Sequence, residues 1–297
     1  MTDGNHANPV IFGEVLFDCF PDGNSVLGGA PFNVAWHLQA FGLSPIVISS
    51  IGDDELGKKV ESAMLDWSMS RMGLQLDPVH PTGSVDIEFH HGEPHYTIVE
   101  HRAYDYIDAG LIPSLPESRL LYHGSLALRN QASREALSVL KQYRNDSVFM
   151  DVNLRDPWWQ KEYLLELADD ADWVKLNEDE LTRLGNGAGD CLEQAREFLR
   201  THHLKGLVVT LGEKGAIGLT GDGGLAEIAP VRTLDVVDTV GAGDAFTSVL
   251  ILGITLAWPL EQTMQRAQQF ASMMVAQQGA TVHDQAFYQA MIADWCL

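Results

Sequence analysis

The chain has 297 residues, 45% of them hydrophobic, and carries 19 Lys and Arg against 41 Asp and Glu, a net charge of −22. Such a field repels nucleic acid and anionic membrane surfaces, which argues against polyanion partners. No uninterrupted apolar run reaches about 18 residues and the start carries no basic-then-apolar leader; with three widely spaced cysteines, Cys19, Cys191 and Cys296, this predicts a soluble, cytoplasmic protein without a membrane span or structural zinc.

In chain order, Gly13-Glu14-Val15-Leu16-Phe17-Asp18 reads as a strand end, followed by a glycine turn at Gly28 and Gly29. Pro31 then suits the first turn of a helix over Phe32 to Phe41, with Phe32, Ala35, Trp36 and Leu38 on one apolar face. A strand over Pro45 to Ile51 leads through a capped turn, Ile51 to Gly57, into a helix over Glu55 to Trp67. Thr82 to Tyr104 alternates polar and apolar residues around His91-Gly92-Glu93-Pro94, as a β-hairpin does. With residues 12–27 it is expected to form a small projecting sheet. His90, His91, His95 and His101 fall on both faces of that hairpin and read as solvated surface rather than metal ligands. Further helices fit Ser133 to Tyr143 and Asp190 to Thr201, and further strands Val148 to Val152, Trp173 to Leu176 and Leu207 to Leu211. Strand and helix in alternation imply an α/β domain over residues 1–297, with a mostly parallel sheet covered on both faces.

The most informative stretch is Asp238-Thr239-Val240-Gly241-Ala242-Gly243-Asp244-Ala245-Phe246. Small residues let the backbone approach a ligand and aim successive N–H groups at an anion, and the helix that follows adds its positive end. Asp244 sits where a carboxylate can take a proton from an attacking hydroxyl. Read by itself, the segment is equally a capped strand-to-helix turn. Asp18 and Asn33 offer groups suited to sugar hydroxyls. Arg155, in Asp151-Val152-Asn153-Leu154-Arg155, could neutralise phosphate or simply pair with an acid. Asn177-Glu178-Asp179-Glu180 starts a helix, and Thr210-Leu211-Gly212-Glu213-Lys214-Gly215-Ala216 turns at a strand end. Neither G-x-x-x-x-G-K-[ST] nor an early G-x-G-x-x-G occurs, so P-loop and dehydrogenase readings are unsupported.

The nine-residue stretch resembles the D-T-x-G-A-G-D motif of the ribokinase-like, or PfkB, carbohydrate kinases, and five ordered segments between Gly13 and Gly279 resemble that family. The resemblance implies a three-layer α/β/α core with a β-sheet lid over a sugar, and ATP-dependent phosphorylation of that sugar. It makes Asp244 the catalytic base and Gly241, Ala242 and Gly243 the anion hole. Asp18, Gly28, Gly29, Asn33 and Arg155 become substrate contacts. Asn177, Thr210, Gly212, Gly215 and Gly243 border the nucleotide, with Glu180 ordering Mg²⁺ through water. Asp238 becomes a candidate for a monovalent cation such as K⁺, although Gln277 to His283 is less distinctive there. G-E-x-L-x-D followed by G-G-A-P-x-N-V-A looks like the fructokinase branch. Ketodeoxygluconate kinase, ribokinase and a binding-only regulator stand as alternatives, and the resemblance admits a homodimer through the lid.

Overall fold

The computed structural model describes residues 8–90, 93–116, 118–143, 145–229 and 236–297. Its strands are β1 (Val10–Phe12), β2 (Leu16–Cys19), β3 (Ser25–Gly28), β4 (Ile46–Gly52), β5 (Leu74–Asp77), β6 (Gly83–His90), β7 (Glu93–Ile98), β8 (Ser118–His123), β9 (Asn145–Asp151), β10 (Trp173–Asn177), β11 (Gly206–Thr210), β12 (Ala216–Thr220) and β13 (Leu225–Ile228). The helices are α1 (Ala30–Ala40), α2 (Glu55–Asp66), α3 (Gln131–Gln142), α4 (Lys161–Asp169), α5 (Glu178–Leu184), α6 (Cys191–Thr201), α7 (Ala242–Thr255), α8 (Leu260–Met274) and α9 (Gln285–Trp295). None of these helices is long and apolar enough to cross a membrane.

The large sheet runs in the order β13-β12-β11-β10-β9-β8-β1-β4-β5, with the β11–β12 and β12–β13 pairings antiparallel and the other pairings parallel. Parallel strands covered on both faces need apolar side chains in both directions, and β1 supplies them. Ile11 joins one core with α1, α2, α7, α8 and α9; Val10 and Phe12 join the other with α3 to α6. β4 is buried at every residue. Several helix starts are fixed by side chains that accept otherwise unpaired N–H groups. Asp54 accepts from Gly57, Asn130 from Ala132, and Asp190 forms a reciprocal cap with Glu193.

Three expected boundaries or faces differ in the structure. Phe12 lies in β1 of the large sheet, and Tyr104 is buried in a short 3₁₀ turn (Ala103–Tyr106), so the lid strands are confined to Leu16–Gly28 and Gly83–Ile98. α1 does not present one apolar face either; it is buried at nine of its eleven positions. The reason is its position between the sheet, α7 and an aromatic cluster of Phe41, Phe270 and Tyr288. β9 also begins earlier than the apolar run suggested, at Asn145.

The second sheet, β3-β2-β6-β7, is the lid. Its hairpin register, Val85↔Ile98 through His90↔Glu93, agrees with a hairpin centred on His91 and Gly92, which lie outside the described residues. Asp18 pairs with Val26 and Val85, so it shares a face with Val26, Ile87, Phe89 and Tyr96. Of the named histidines, His95 is exposed and His101 hydrogen-bonds Tyr106 through Nδ1 at 2.7 Å; the His90 and His91 side chains lie outside the description.

A buried ion pair fastens the lid's return to the core. Arg129 donates through Nε to Asp105 Oδ1 at 2.6 Å and through a terminal nitrogen to Asp105 Oδ2, the Val99 carbonyl and the Tyr104 hydroxyl. Removing the cation strands a buried carboxylate, so Arg129→Met should lower unfolding free energy by about 3–5 kcal/mol in denaturant titration. A loss below about 1 kcal/mol would mean the pair is not what secures this junction.

Candidate active site

The strand order reverses at β1: the chain runs outward to β4 and β5, then returns to β8 on the opposite side. Loops leaving adjacent strands in opposite directions open a crevice at their carboxyl ends, where α/β sheets bind ligands. Glu14 occupies this crevice just beyond β1. Gly29, at φ 105, leaves no room for a side chain, since a Cβ there would lie 2.7 Å from the Glu14 carbonyl. That contact lets α1 begin directly above the strand end.

α1 delivers Asn33, and Asn33 Nδ2 donates to Asp244 Oδ2 at 2.8 Å. Asp244 is in the first turn of α7, behind Gly241 at φ 78. A Cβ on Gly241 would stand 2.5 Å from Ala280, so the glycine is needed for the turn to lie against the Gly279–Ala280 strap. That strap is held from both sides. Asp238 Oδ2 accepts from Gly279 N at 3.1 Å, while its Oδ1 accepts from Val240 N. His37 Nε2 faces the Ala280 carbonyl at 3.0 Å, which requires the Nε2–H tautomer, and Nδ1 faces the Tyr288 hydroxyl. Burial keeps His37 neutral, with its pKa lowered to about 3.

Asp244 keeps partial solvent access although protein surrounds its carboxyl group. Burial raises its pKa to about 6; the Asn33 hydrogen bond, Lys175 and Arg155 oppose that rise, while Asp151 adds to it. Glu14 is pushed further, to about 7, chiefly by burial, with Arg155 opposing and Asp244 adding. Its Oε2 and Asn33 Oδ1 are buried with no hydrogen-bond partner among the described residues. Desolvated carboxyls poised near neutrality beside a helix N-terminus make a site suited to moving a proton next to an anion.

The other expected residues surround this centre. Asp18 faces it from β2, its pKa raised by burial and lowered by Arg155. Gly28 ends β3, and a Cβ there would contact Asn33 Oδ1. Arg155 is exposed beyond β9 and its charge acts on Asp18, Glu14 and Asp244 together. Asn177 and Thr210 are register partners at the ends of β10 and β11. Gly212 opens a 3₁₀ turn (Gly212–Lys214), and Gly215, at φ 100, packs against the Ile228 carbonyl.

Glu180 is buried, contrary to a simple exposed helix-start residue. Its Oε2 accepts from Asn177 N and its Oε1 from Leu154 N, while Asn177 Oδ1 accepts from Glu180 N. Among the described residues no group of three or more His, Cys, Asp and Glu could cage a metal. The lone pairs that these caps leave over on Glu180 and Asn177 fit contact with a metal's water shell.

A family comparison decides what this arrangement belongs to: residues 20–285 match the pfkB family carbohydrate kinases. The chain belongs to the pfkB family of carbohydrate kinases. As such it is an ATP-dependent phosphotransferase acting on a sugar. The kinase is 30% identical over 272 residues to fructokinase-2 of Zea mays, covering 82% of this chain and 79% of that protein. It is 29% identical over 289 residues to aminoimidazole riboside kinase of Salmonella typhimurium, covering 91% and 89%. In structure it is similar to a double mutant of Vibrio cholerae O395 fructokinase holding fructose, ADP and potassium ion, with TM-score 0.79, 26% identity, and 96% and 98% of the two chains covered.

Several residues of the kinase's site carried no assigned role in the sequence. Glu14 was visible only as part of a motif. Lys175, inside β10, is buried and paired with Asp151 at 3.1 Å, and Thr247 donates to the same carboxylate at 2.8 Å. A lysine inside the apolar run Trp173 to Leu176 was the available signal, because lysine is rarely interior without a partner. A separate cleft of about 790 Å³ between α1 and α2, bordered by Trp36, Lys59, Trp67 and His283, contains none of the motif residues.

The raised Glu14 pKa has a stability consequence. Between its ordinary 4.5 and about 7, folded protein holds this proton and unfolded chain does not, so wild type loses stability as pH rises through that window. Glu14→Gln cannot make that loss. Its stability relative to wild type should climb by on the order of 3 kcal/mol from pH 4.5 to above 7, read by urea unfolding at each pH. A flat difference would mean that Glu14 titrates normally.

Proposed function

We propose that this kinase transfers the γ-phosphoryl group of ATP to a hydroxyl of D-fructose, and that its 297 residues work as one kinase domain. The observation that carries the reading is Asp244, desolvated, held by Asn33 and set in the first turn of α7 directly behind Gly241 to Gly243. The sugar oxygen attacks the γ-phosphorus, forming one O–P bond while the bond to the β,γ-bridging oxygen breaks and ADP leaves with that electron pair. Asp244 takes the hydroxyl proton. Amides of Gly241, Ala242 and Gly243 meet charge on the transferring oxygens, in a site where little solvent reorganisation is needed.

Asp18, Gly28, Gly29 and Asn33 are assigned to the sugar, and Arg155 to substrate or phosphate charge. Asn177, Thr210, Gly212, Gly215 and Gly243 are assigned to ATP. Mg²⁺, when bound with ATP, neutralises phosphate charge; Asn177 and Glu180 would hold its water shell. K⁺ is proposed beside Asp238, whose carboxylate already ties the turn to Gly279.

Fructose is favoured because fructokinases recur among the relatives and because the site is acidic. Asp18, Glu14 and Asp244 face the exposed cation Arg155, and this acidic setting suits a neutral polyol better than a sugar acid such as ketodeoxygluconate. The similarity to aminoimidazole riboside kinase supports a second reading, a ribosyl substrate phosphorylated by the same machinery. Val26, Phe89 and Tyr96 are 46%, 55% and 59% exposed on the Asp18 face of the lid, which supports a homodimer formed there. A cytoplasmic location, where ATP is supplied, accompanies this reading.

Across fructose, ribose, glucose, ketodeoxygluconate and aminoimidazole riboside, a coupled ADP-release assay should give fructose the highest kcat/KM. A higher value for another substrate overturns the fructose assignment, and no phosphorylation of any would leave a binding-only protein. Asp244→Asn should lower kcat by roughly 10²- to 10⁴-fold with ATP affinity little changed. Because the base must be ionised, wild-type kcat/KM should rise with pH through about 6. A pH-independent rate between 5 and 7 would remove Asp244 from that role.

A further inference from the structure

Lys175 lies beside the glycine turn with part of its hydrogen-bonding capacity unused. Its Nζ is 3.1 Å from each carboxylate oxygen of Asp151. An ammonium has three N–H donors, and no other acceptor bonds it among the described residues. The space it overlooks is the turn: a Cβ on Gly243 would stand 3.5 Å from Lys175 Nζ and meet nothing else within 4 Å. Gly243 itself is exposed. A group lying against the backbone of Gly243 would therefore rest beside this ammonium.

We propose that Lys175 is a catalytic residue of the phosphoryl transfer, its third N–H and its charge engaging an oxygen of the transferring phosphoryl group from beneath Gly243. The inference rests on the kinase reading of this turn. Lys175 keeps its proton throughout, since the sugar proton goes to Asp244 and the bridging electron pair leaves with ADP. Burial alone would discharge a lysine, but Asp151, then Glu180 and Asp244, hold its pKa above the ordinary value. A chain of net charge −22 has particular need of a fixed cation where a triphosphate must come to rest.

The competing role is structural: Lys175 neutralises Asp151, which in turn receives Thr247 and seats α7 on the sheet. Lys175→Met alone cannot separate the two, because it strands a buried carboxylate. The double variant Asp151→Asn with Lys175→Met removes both charges and leaves an acceptor for Thr247. Asp151 raises the Asp244 pKa and Lys175 lowers it, so their joint removal takes away two opposing influences on the base rather than one.

With Mg²⁺ present, the folded double variant should lose roughly 10²- to 10³-fold in kcat, the range for loss of one oxyanion donor, while its fructose KM stays within about threefold. Its preference for β,γ-methylene-ATP over ADP, measured by calorimetry, should fall at least about tenfold from wild type. A kcat within about threefold of wild type and an unchanged nucleotide preference would make Lys175 a counter-ion only. In the wild type, the ¹⁵Nζ resonance of Lys175 should shift with β,γ-methylene-ATP and not with ADP; equal responses overturn the proposal even if the double variant fails to fold. If wild type phosphorylated no sugar, the kinase reading would fall, and the nucleotide preference and resonance would still decide the contact.

Discussion

The 2.8 Å hydrogen bond from Asn33 to Asp244 joins the first helix to one that begins more than 200 residues later, and the geometry of the site depends on it. A hydrogen bond to a charged acceptor in a desolvated place contributes about 1.5–3 kcal/mol and, more importantly, fixes a direction. α1 can hold that direction because it is buried nearly all round and cannot rotate without exposing Phe32, Trp36 or Leu38. One turn further along, His37 grips Ala280, and Trp36 Nε1 donates to the Val282 carbonyl at 3.0 Å. The strap fixed in this way backs Gly241. One rigid helix therefore registers both the acid and the glycine turn, so their separation is set by packing.

Electrostatics explains why such rigidity is needed. Folding places Glu14, Asp18, Asp151 and Asp244 near one another in a protein already strongly acidic. The fold meets this in three ways. Two carboxyls are left to titrate near neutrality, Asp151 is paired with Lys175, and Arg155 is left exposed where it acts on several acids together. Positive potential for an anionic ligand then comes from the α7 amino end and from the few cations fixed there.

Much of this was legible in the sequence, for identifiable reasons. Parallel strands buried on both faces must be short and continuously apolar, so Pro45 to Ile51, Val148 to Val152, Trp173 to Leu176 and Leu207 to Leu211 all mark strands of the large sheet. The helix starts expected after the Ile51 to Gly57 turn and at Asp190 are where the Asp54 and Asp190 side chains satisfy local N–H groups. Local signals did not extend to contacts made at a distance. β1 is only three residues long, so its apolar run merged with the lid strand that follows. α1 looked one-sided because Asn33 and His37 are polar, yet both face buried partners from the far end of the chain. Lys175 and Asp151 are 24 residues apart on neighbouring strands, and no spacing rule within either strand links them. Asn177 to Glu180 was legible as a helix start, but nothing local indicated that Glu180 caps α5 and pins the loop after β9 with the same carboxylate.

The central claim is spatial: a triphosphate ends at the Gly241–Gly243 turn while a sugar hydroxyl addresses Asp244. A crystal structure of the wild-type kinase with D-fructose, Mg²⁺ and β,γ-methylene-ATP tests it most directly. The account predicts γ-phosphate oxygens within about 3.2 Å of the turn amides and one fructose hydroxyl within about 3 Å of the Asp244 carboxylate. A nucleotide seated instead in the cleft beside Trp36 and Trp67, or a sugar whose nearest carboxyl group is Glu14, would contradict it.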